Sequence, residues 1–246
     1  MSFGGLQAIS SLDMLVEEGE ITGLIGPNGA GKTTLFNCVT GILPPTSGEI
    51  LYRGVNLAGL RPDRVTALGV SRTFQNIRLF AHMTVLENVM VGAHCRMRAG
   101  VLGAIFRPES VITEEAELAA KALDLLRFVW LEEKAELWAR QLAYGDQRRL
   151  EIARSLASDP TLLLLDEPAA GMNPHETNAM MELIRRIRAR GVTVLLIEHH
   201  MKVIMGISDR LMVLDHGCKI AEGTPGAVRA DPKVIAAYLG KESVGA

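Results

Sequence analysis

The chain has 246 residues, 48% of them hydrophobic and 22% charged, with a formal net charge of −2. That is length enough for a full apolar core, and a charge too near neutral for a strongly basic nucleic-acid footprint. An aromatic content of 4% leaves too few rings for a single-strand stacking platform, and Cys38, Cys95 and Cys218, with no CxxC pair among them, exclude a disulfide framework or zinc knuckle and fit reduced thiols.

Residues 1–75 mix short β-like runs with glycine-rich turns. Ile21–Ile25 predicts a strand broken by Gly26-Pro27-Asn28-Gly29. Residues 48–52 predict a second strand, turned at Arg53-Gly54, and residues 70–74 a third that ends at Gln75. Residues 76–158 read as helical. Thr84 caps a run carrying Val85, Leu86, Val89 and Met90. Thr113-Glu114-Glu115 opens a longer helix with Leu118, Ala122, Leu125 and Leu126 on one stripe, and a third helix follows Gly145. The longest charge-free apolar run, residues 99–106, is far short of the about 20 residues of a membrane span, and no charged segment followed by an apolar one opens the chain. A soluble chain is expected, with any membrane role borrowed from a partner. Residues 159–224 return to α/β alternation, with apolar strands at 162–165, 192–197 and 211–214 and a helix over 174–190, proline in its first turn and Gly191 after its end. Fully apolar strands separated by helices predict a parallel sheet covered on both faces. Asp231-Pro232 starts a last helix that ends at Gly240.

The strongest chemical signal is the run from Gly26 to Thr33, which matches the phosphate-binding loop G-x-x-x-x-G-K-[ST] between a predicted strand and a predicted helix. Glycines let main-chain N–H groups turn towards a polyphosphate, and the helix brings its positive end there. Asn28, Gly29, Ala30, Gly31, Lys32, Thr33 and Thr34 are the candidate phosphate-binding residues. Lys32 is expected at the β- and γ-phosphates and Thr33 at Mg²⁺. Leu162-Leu163-Leu164-Leu165-Asp166-Glu167 supplies the second element. Asp166 at a strand end fits the Mg²⁺ role, and Glu167 is placed to polarise an attacking water. The Asp-x-x-Gly and Asn-Lys-x-Asp motifs that GTPases need are both missing from the sequence.

Leu142-Ala143-Tyr144-Gly145-Asp146-Gln147 resembles the signature motif of ATP-binding cassette ATPases, usually written Leu-Ser-Gly-Gly-Gln. The resemblance covers almost the whole chain, with the motifs in family order: phosphate loop, Gln75, signature, Asp166-Glu167, then a histidine. It implies a P-loop NTPase (RecA-like) α/β core over residues 1–75 and 159–246, an antiparallel β subdomain, and an inserted helical subdomain over 76–158. It further implies ATP and Mg²⁺ as cofactors, with Thr33, Gln75 and Asp166 at the metal. Gln75 also contacts the attacking water, Glu167 and His199 serve catalysis, and Phe3 stacks on adenine. Tyr144, Gly145 and Asp146 meet the nucleotide of an opposed subunit. Three departures stand out: Ala143 where a serine is usual, Asn173 where many members have Asp, and His200 where relatives commonly have Asp. Relatives begin with an extra strand before the Phe-Gly-Gly motif, so an outer antiparallel sheet with one exposed edge is expected.

Residues 71–75, 79–80, 83–88, 142–145, 167–171, 205–209 and 237–240 are similar to the ATPase subunits of branched-chain amino acid importers. That implies a dimer with a second copy or a paralogous cassette, and transmembrane permease subunits as partners. It implies, indirectly, a periplasmic or extracellular solute-binding protein, no nucleic acid, and a peripheral place on the cytoplasmic face of the inner (plasma) membrane. Another transport system, such as lipid export, and a non-transport cassette ATPase stay open as alternatives.

Overall fold

The structure, a computed structural model, describes residues 1–3, 6–96 and 109–239. The chain divides into two compact units: Met1–Val65 with Leu164–Ala246, and Thr66–Leu163.

The first unit opens on β1 (Ser2–Phe3) and β2 (Leu6–Gln7), paired antiparallel. β3 (Ile21–Ile25) runs into α1 (Lys32–Val39) through the phosphate loop. β4 (Leu51–Tyr52) and β5 (Val55–Asn56) form a hairpin. Its Arg53-Gly54 turn takes positive φ at both residues, as a two-residue hairpin of this hand requires. The strand expected over 48–52 is therefore short, for a reason seen one residue upstream. Ile50 N–H donates to the Asn56 side chain at 3.1 Å instead of entering a ladder. α2 (Pro62–Ala67) leads into the second unit.

In the second unit β6 (Val70–Arg72) also stops early. The main chain of Phe74 and Gln75 bonds to Glu151 and Arg148 side chains rather than to a neighbouring strand. α3 (Val85–Ala93) has the expected Thr84 cap, closed as a reciprocal box with Glu87, and buries Val85, Val89 and Ala93; such a cap contributes about 1 kcal/mol. α4 (Glu109–Phe128) starts four residues before Thr113, and α5 (Tyr144–Leu156) packs with α4 on α3.

β7 (Leu162–Asp166) returns the chain to the first unit. α6 (Pro174–Ala189) is capped by Asn173 and buries Met180, Leu183, Ile184 and Ile187 at helical spacing. β8 (Thr193–Ile197), α7 (Met201–Ile207), β9 (Arg210–Asp215), β10 (Cys218–Gly223), α8 (Pro225–Ala230) and α9 (Pro232–Leu239) complete it; Gly240 and residues 99–106 lie outside the described residues. The sheet runs β10-β9-β3-β8-β7. β3 is parallel to both β8 and β9, as the apolar runs predicted, and β10 returns antiparallel along β9. β3 and β8 are buried along their whole length. Because they are parallel and in register from Ile21 opposite Val194 to Leu24 opposite Ile197, their carboxyl ends leave the sheet on one edge. That edge is where ligands of open α/β sheets bind.

Candidate nucleotide site

The loop after β3 is shaped by contacts that admit only glycine at two points. Gly26 has φ 152°, and a side chain there would run into the Leu214 carbonyl oxygen. Gly31 has φ 100°, and a side chain there would run into the Ala8 carbonyl oxygen. Both positions therefore need the conformation and the size of glycine. Gly31 is also the N-cap of α1, and no side chain caps that helix, so its first-turn N–H groups keep the donor capacity a phosphate uses. The Lys32 ammonium is buried and donates to the Gly26 and Pro27 carbonyls at 2.6 and 3.0 Å, which keeps a positive charge folded over the cradle. Ala30 is buried and its carbonyl accepts from Gly217 N–H, while Asn28, Gly29 and Thr33 face outward and Thr34 is half-buried. A glycine cradle, an uncapped helix start and one lysine are a donor set that fits a polyphosphate.

Tyr238, from α9, reaches the first glycine of this loop. Burial raises its phenol above the ordinary value, partly offset by a hydrogen bond with the Gly26 main chain.

Asp166 ends β7 and is buried; Glu167 follows with φ 51°, a left-handed conformation that is costly for a residue with a side chain and is concentrated at functional sites. Glu167 N–H donates to the Ile197 carbonyl at 2.9 Å, tying the end of β7 to the end of β8. The Glu167 carboxylate lies 2.6 Å from His199 Nε2. The two residues singled out separately in the sequence thus form one pair. Glu198, not among the residues singled out above, holds the pair's surroundings. It is buried, accepts from Ala169 N–H at 3.0 Å and from His199 N–H at 3.2 Å, and so braces the turn after Glu167 against the end of β8. Its only sequence signal is a carboxylate directly after an apolar strand. His200 is exposed, and among the described residues no cluster of three His, Cys, Asp or Glu could hold a metal ion. Asn173 spends its side chain locally: it accepts from Glu176 N–H at 3.0 Å while Glu176 accepts from Asn173 N–H.

Gln75 and the signature belong to the second unit. Gln75 is exposed, and its carbonyl accepts from Arg148. Ala143 is the N-cap of α5 and offers no side-chain bond, so Tyr144, Gly145 and Asp146 begin the helix with uncapped N–H groups. The Asp146 side chain is turned inward and paired with Lys134 and Arg149. Burial pushes its carboxyl up, but hydrogen bonds and charge from those two cations outweigh it, and the net is below the usual carboxylate value. Phe3 lies in β1, and its side chain is outside what the structure describes.

The family model described as ABC transporter matches residues 9–170, and that described as branched-chain amino acid ATP-binding cassette transporter matches residues 218–244, which include Tyr238. The high-affinity branched-chain amino acid transport ATP-binding protein LivG of Escherichia coli K12 is 48% identical over 242 residues, covering 98% of this chain and 95% of the relative. Among solved structures, an ATP-binding cassette of an ABC transporter in its ADP conformation is 33% identical with a TM-score of 0.85, covering 98% of this chain and 95% of the other. A dimeric post-hydrolysis state of a cassette bound to ADP and Pi is 26% identical with a TM-score of 0.76, covering 92% of this chain and 94% of the other.

Proposed function

The chain belongs to the ABC transporter family as an ATP-hydrolysing, nucleotide-binding subunit of the branched-chain amino acid type, and we propose that it works as one half of a head-to-tail dimer that drives import of branched-chain or related amino acids. The observation that carries the reading is the single sheet edge that gathers the phosphate loop, Asp166, and the Glu167–His199 pair at 2.6 Å.

Phosphate is held by the N–H groups at residues 28–34, and the Lys32 ammonium exchanges its carbonyl partners for the β- and γ-phosphates. Thr33, Asp166 and Gln75 would hold Mg²⁺, and when bound that ion would neutralise negative charge as it develops on the phosphates. Glu167 accepts the proton of the attacking water. His199 keeps the carboxylate aimed by holding one of its oxygens, and senses the γ-phosphate. Phe3 stacks on the adenine. Tyr144, Gly145 and Asp146 of the partner subunit close the second side of the site with the open start of α5. ATP closes the dimer and hydrolysis reopens it. A two-fold arrangement makes two such sites, and the partner is a second copy or a paralogous cassette.

Residues 76–158 act as the helical subdomain between the core segments 1–75 and 159–246. Membrane subunits dock at residues 76–90, where Phe80 and Met83 expose apolar side chains. Among the described residues no helix is long and apolar enough to cross a membrane, and the place of the chain is peripheral, on the cytoplasmic face of the inner membrane. A periplasmic or extracellular binding protein delivers the solute to the permease.

The test is co-reconstitution in liposomes with the permeases and binding protein that co-purify from native membranes. Leucine, isoleucine or valine on the binding-protein side should accelerate ATP hydrolysis and enter the vesicle. Stimulation by lipid alone, or none by any amino acid, would replace the importer reading.

A further inference from the structure

One face of α5 carries a ladder of polar side chains laid along the extended main chain of residues 71–75. Arg148 donates to the Phe74 carbonyl at 2.7 Å and to the Gln75 carbonyl. Glu151 accepts from Phe74 N–H at 3.3 Å and pairs with Arg148 at 3.3 Å. Ser155 donates to the Arg72 carbonyl at 3.4 Å, and Ser158, just past the helix end, meets the Ser71 hydroxyl at 2.5 Å. These positions fall three and four residues apart, the spacing of a single helix stripe.

Arg148 and Glu151 are the costly rungs. Their side chains keep only 4% and 1% of their exposure, and a buried ion pair is rarely worth more to stability than well-packed apolar side chains of the same volume. Burial pushes the Glu151 carboxyl up; Phe74 N–H and the charges of Arg148 and Arg154 pull it only partly back. What the pair supplies is geometry. The guanidinium is a rigid planar fork, and placed on two consecutive carbonyls it fixes the peptide from which the Gln75 side chain departs. The same guanidinium lies 3.1 Å from the Tyr144 hydroxyl, in the signature itself.

We propose that Arg148, braced by Glu151, is a positioning residue that fixes the Gln75 main chain to the signature helix, so that Gln75 and Tyr144–Asp146 move as one body during turnover. The proposal rests on the reading in which Gln75 contacts the metal and the attacking water.

Arg148→Lys keeps the charge opposite Glu151 but cannot fork onto both carbonyls. In the full-length protein it should speed amide hydrogen exchange at Phe74 and Gln75. It should lower kcat about ten-fold, with ATP affinity within two-fold of wild type, because the phosphate loop is untouched. Combined with Gln75→Ala it should add little to the loss from Gln75→Ala alone. A kcat within two-fold of wild type while Gln75→Ala is slow overturns the clamp, and so do losses that multiply in the double variant. Gln75→Ala turning over at the wild-type rate overturns the role given to Gln75, and the clamp with it. If Arg148→Lys does not fold, the neutral pair Arg148→Gln/Glu151→Gln removes both charges of the buried pair together and is judged by the same rates.

Discussion

Helices in this protein begin in two ways. α3, α6 and α8 start behind Thr84, Asn173 and Thr224, whose side chains each accept a hydrogen bond from a first-turn N–H group. α1, α5 and α7 start behind Gly31, Ala143 and His200, which offer no side-chain bond. Of these, α1 follows the phosphate loop and α5 opens the signature. Closing a helix start with a side chain contributes about 1 kcal/mol, so the open starts give up stability and retain donors for an anion. The open ends of α1 and α5 are nevertheless built differently. At α1 the backbone itself is shaped, by glycines pressed against the Leu214 and Ala8 carbonyls. At α5 the backbone is an ordinary helix start, and its surroundings are fixed by charge: Asp146 between Lys134 and Arg149, and Arg148 on the Phe74–Gln75 main chain.

The sharpest break should come where chemistry rather than binding is removed. Glu167→Gln leaves both helix starts intact and takes away the proposed base, so turnover should fall by roughly 10²–10⁴-fold while ATP affinity survives. Near-wild-type steady-state hydrolysis would reject Glu167 as the base. Lys32→Ala removes the charge over the α1 start. Bonds between an ammonium and phosphate oxygens are charge-assisted, and losing two of them should weaken ATP binding about 100-fold. Unchanged affinity by calorimetry would mean that the open end of α1 binds no phosphate.

How much of this could be read from the residues divides along the same line. The phosphate loop, the buried strands, the Thr84 cap and the proline-started α6 are local, each a pattern within a few residues, and the chain forms them where the pattern says. β10 escaped because a register shift between Lys219 and Ala221 breaks its two-residue alternation. The predicted strands at 48–52 and 70–74 were cut short by side chains, Asn56 in one case and Arg148 with Glu151 in the other, that take over main-chain partners. In the second case those side chains come from more than 70 residues away. The Glu167–His199 pair was legible as two residues and not as one contact, because their approach depends on β7 and β8 ending on the same edge. Long-range polar contacts of this kind leave no periodicity behind.

The mildest test separates open from closed directly. Ala143→Asp places a capping carboxylate at the start of α5, where its oxygen can accept from the Asp146 N–H as Thr84 accepts from Glu87 in α3. An acidic group there also complements the positive end of the helix dipole. The variant should therefore be more stable to urea by about 1 kcal/mol. It should also hydrolyse ATP more slowly, since on the proposed reading the same carboxylate occupies donors for the nucleotide of the partner subunit and sets a negative charge beside its γ-phosphate. Ala143→Ser, with a neutral hydroxyl that both caps the helix and can donate to phosphate, should gain part of the stability without the loss in rate. Equal rates for the Asp and Ser variants would show that the α5 start is open for no catalytic reason, and the likeness between the α1 and α5 starts would then be one of form alone.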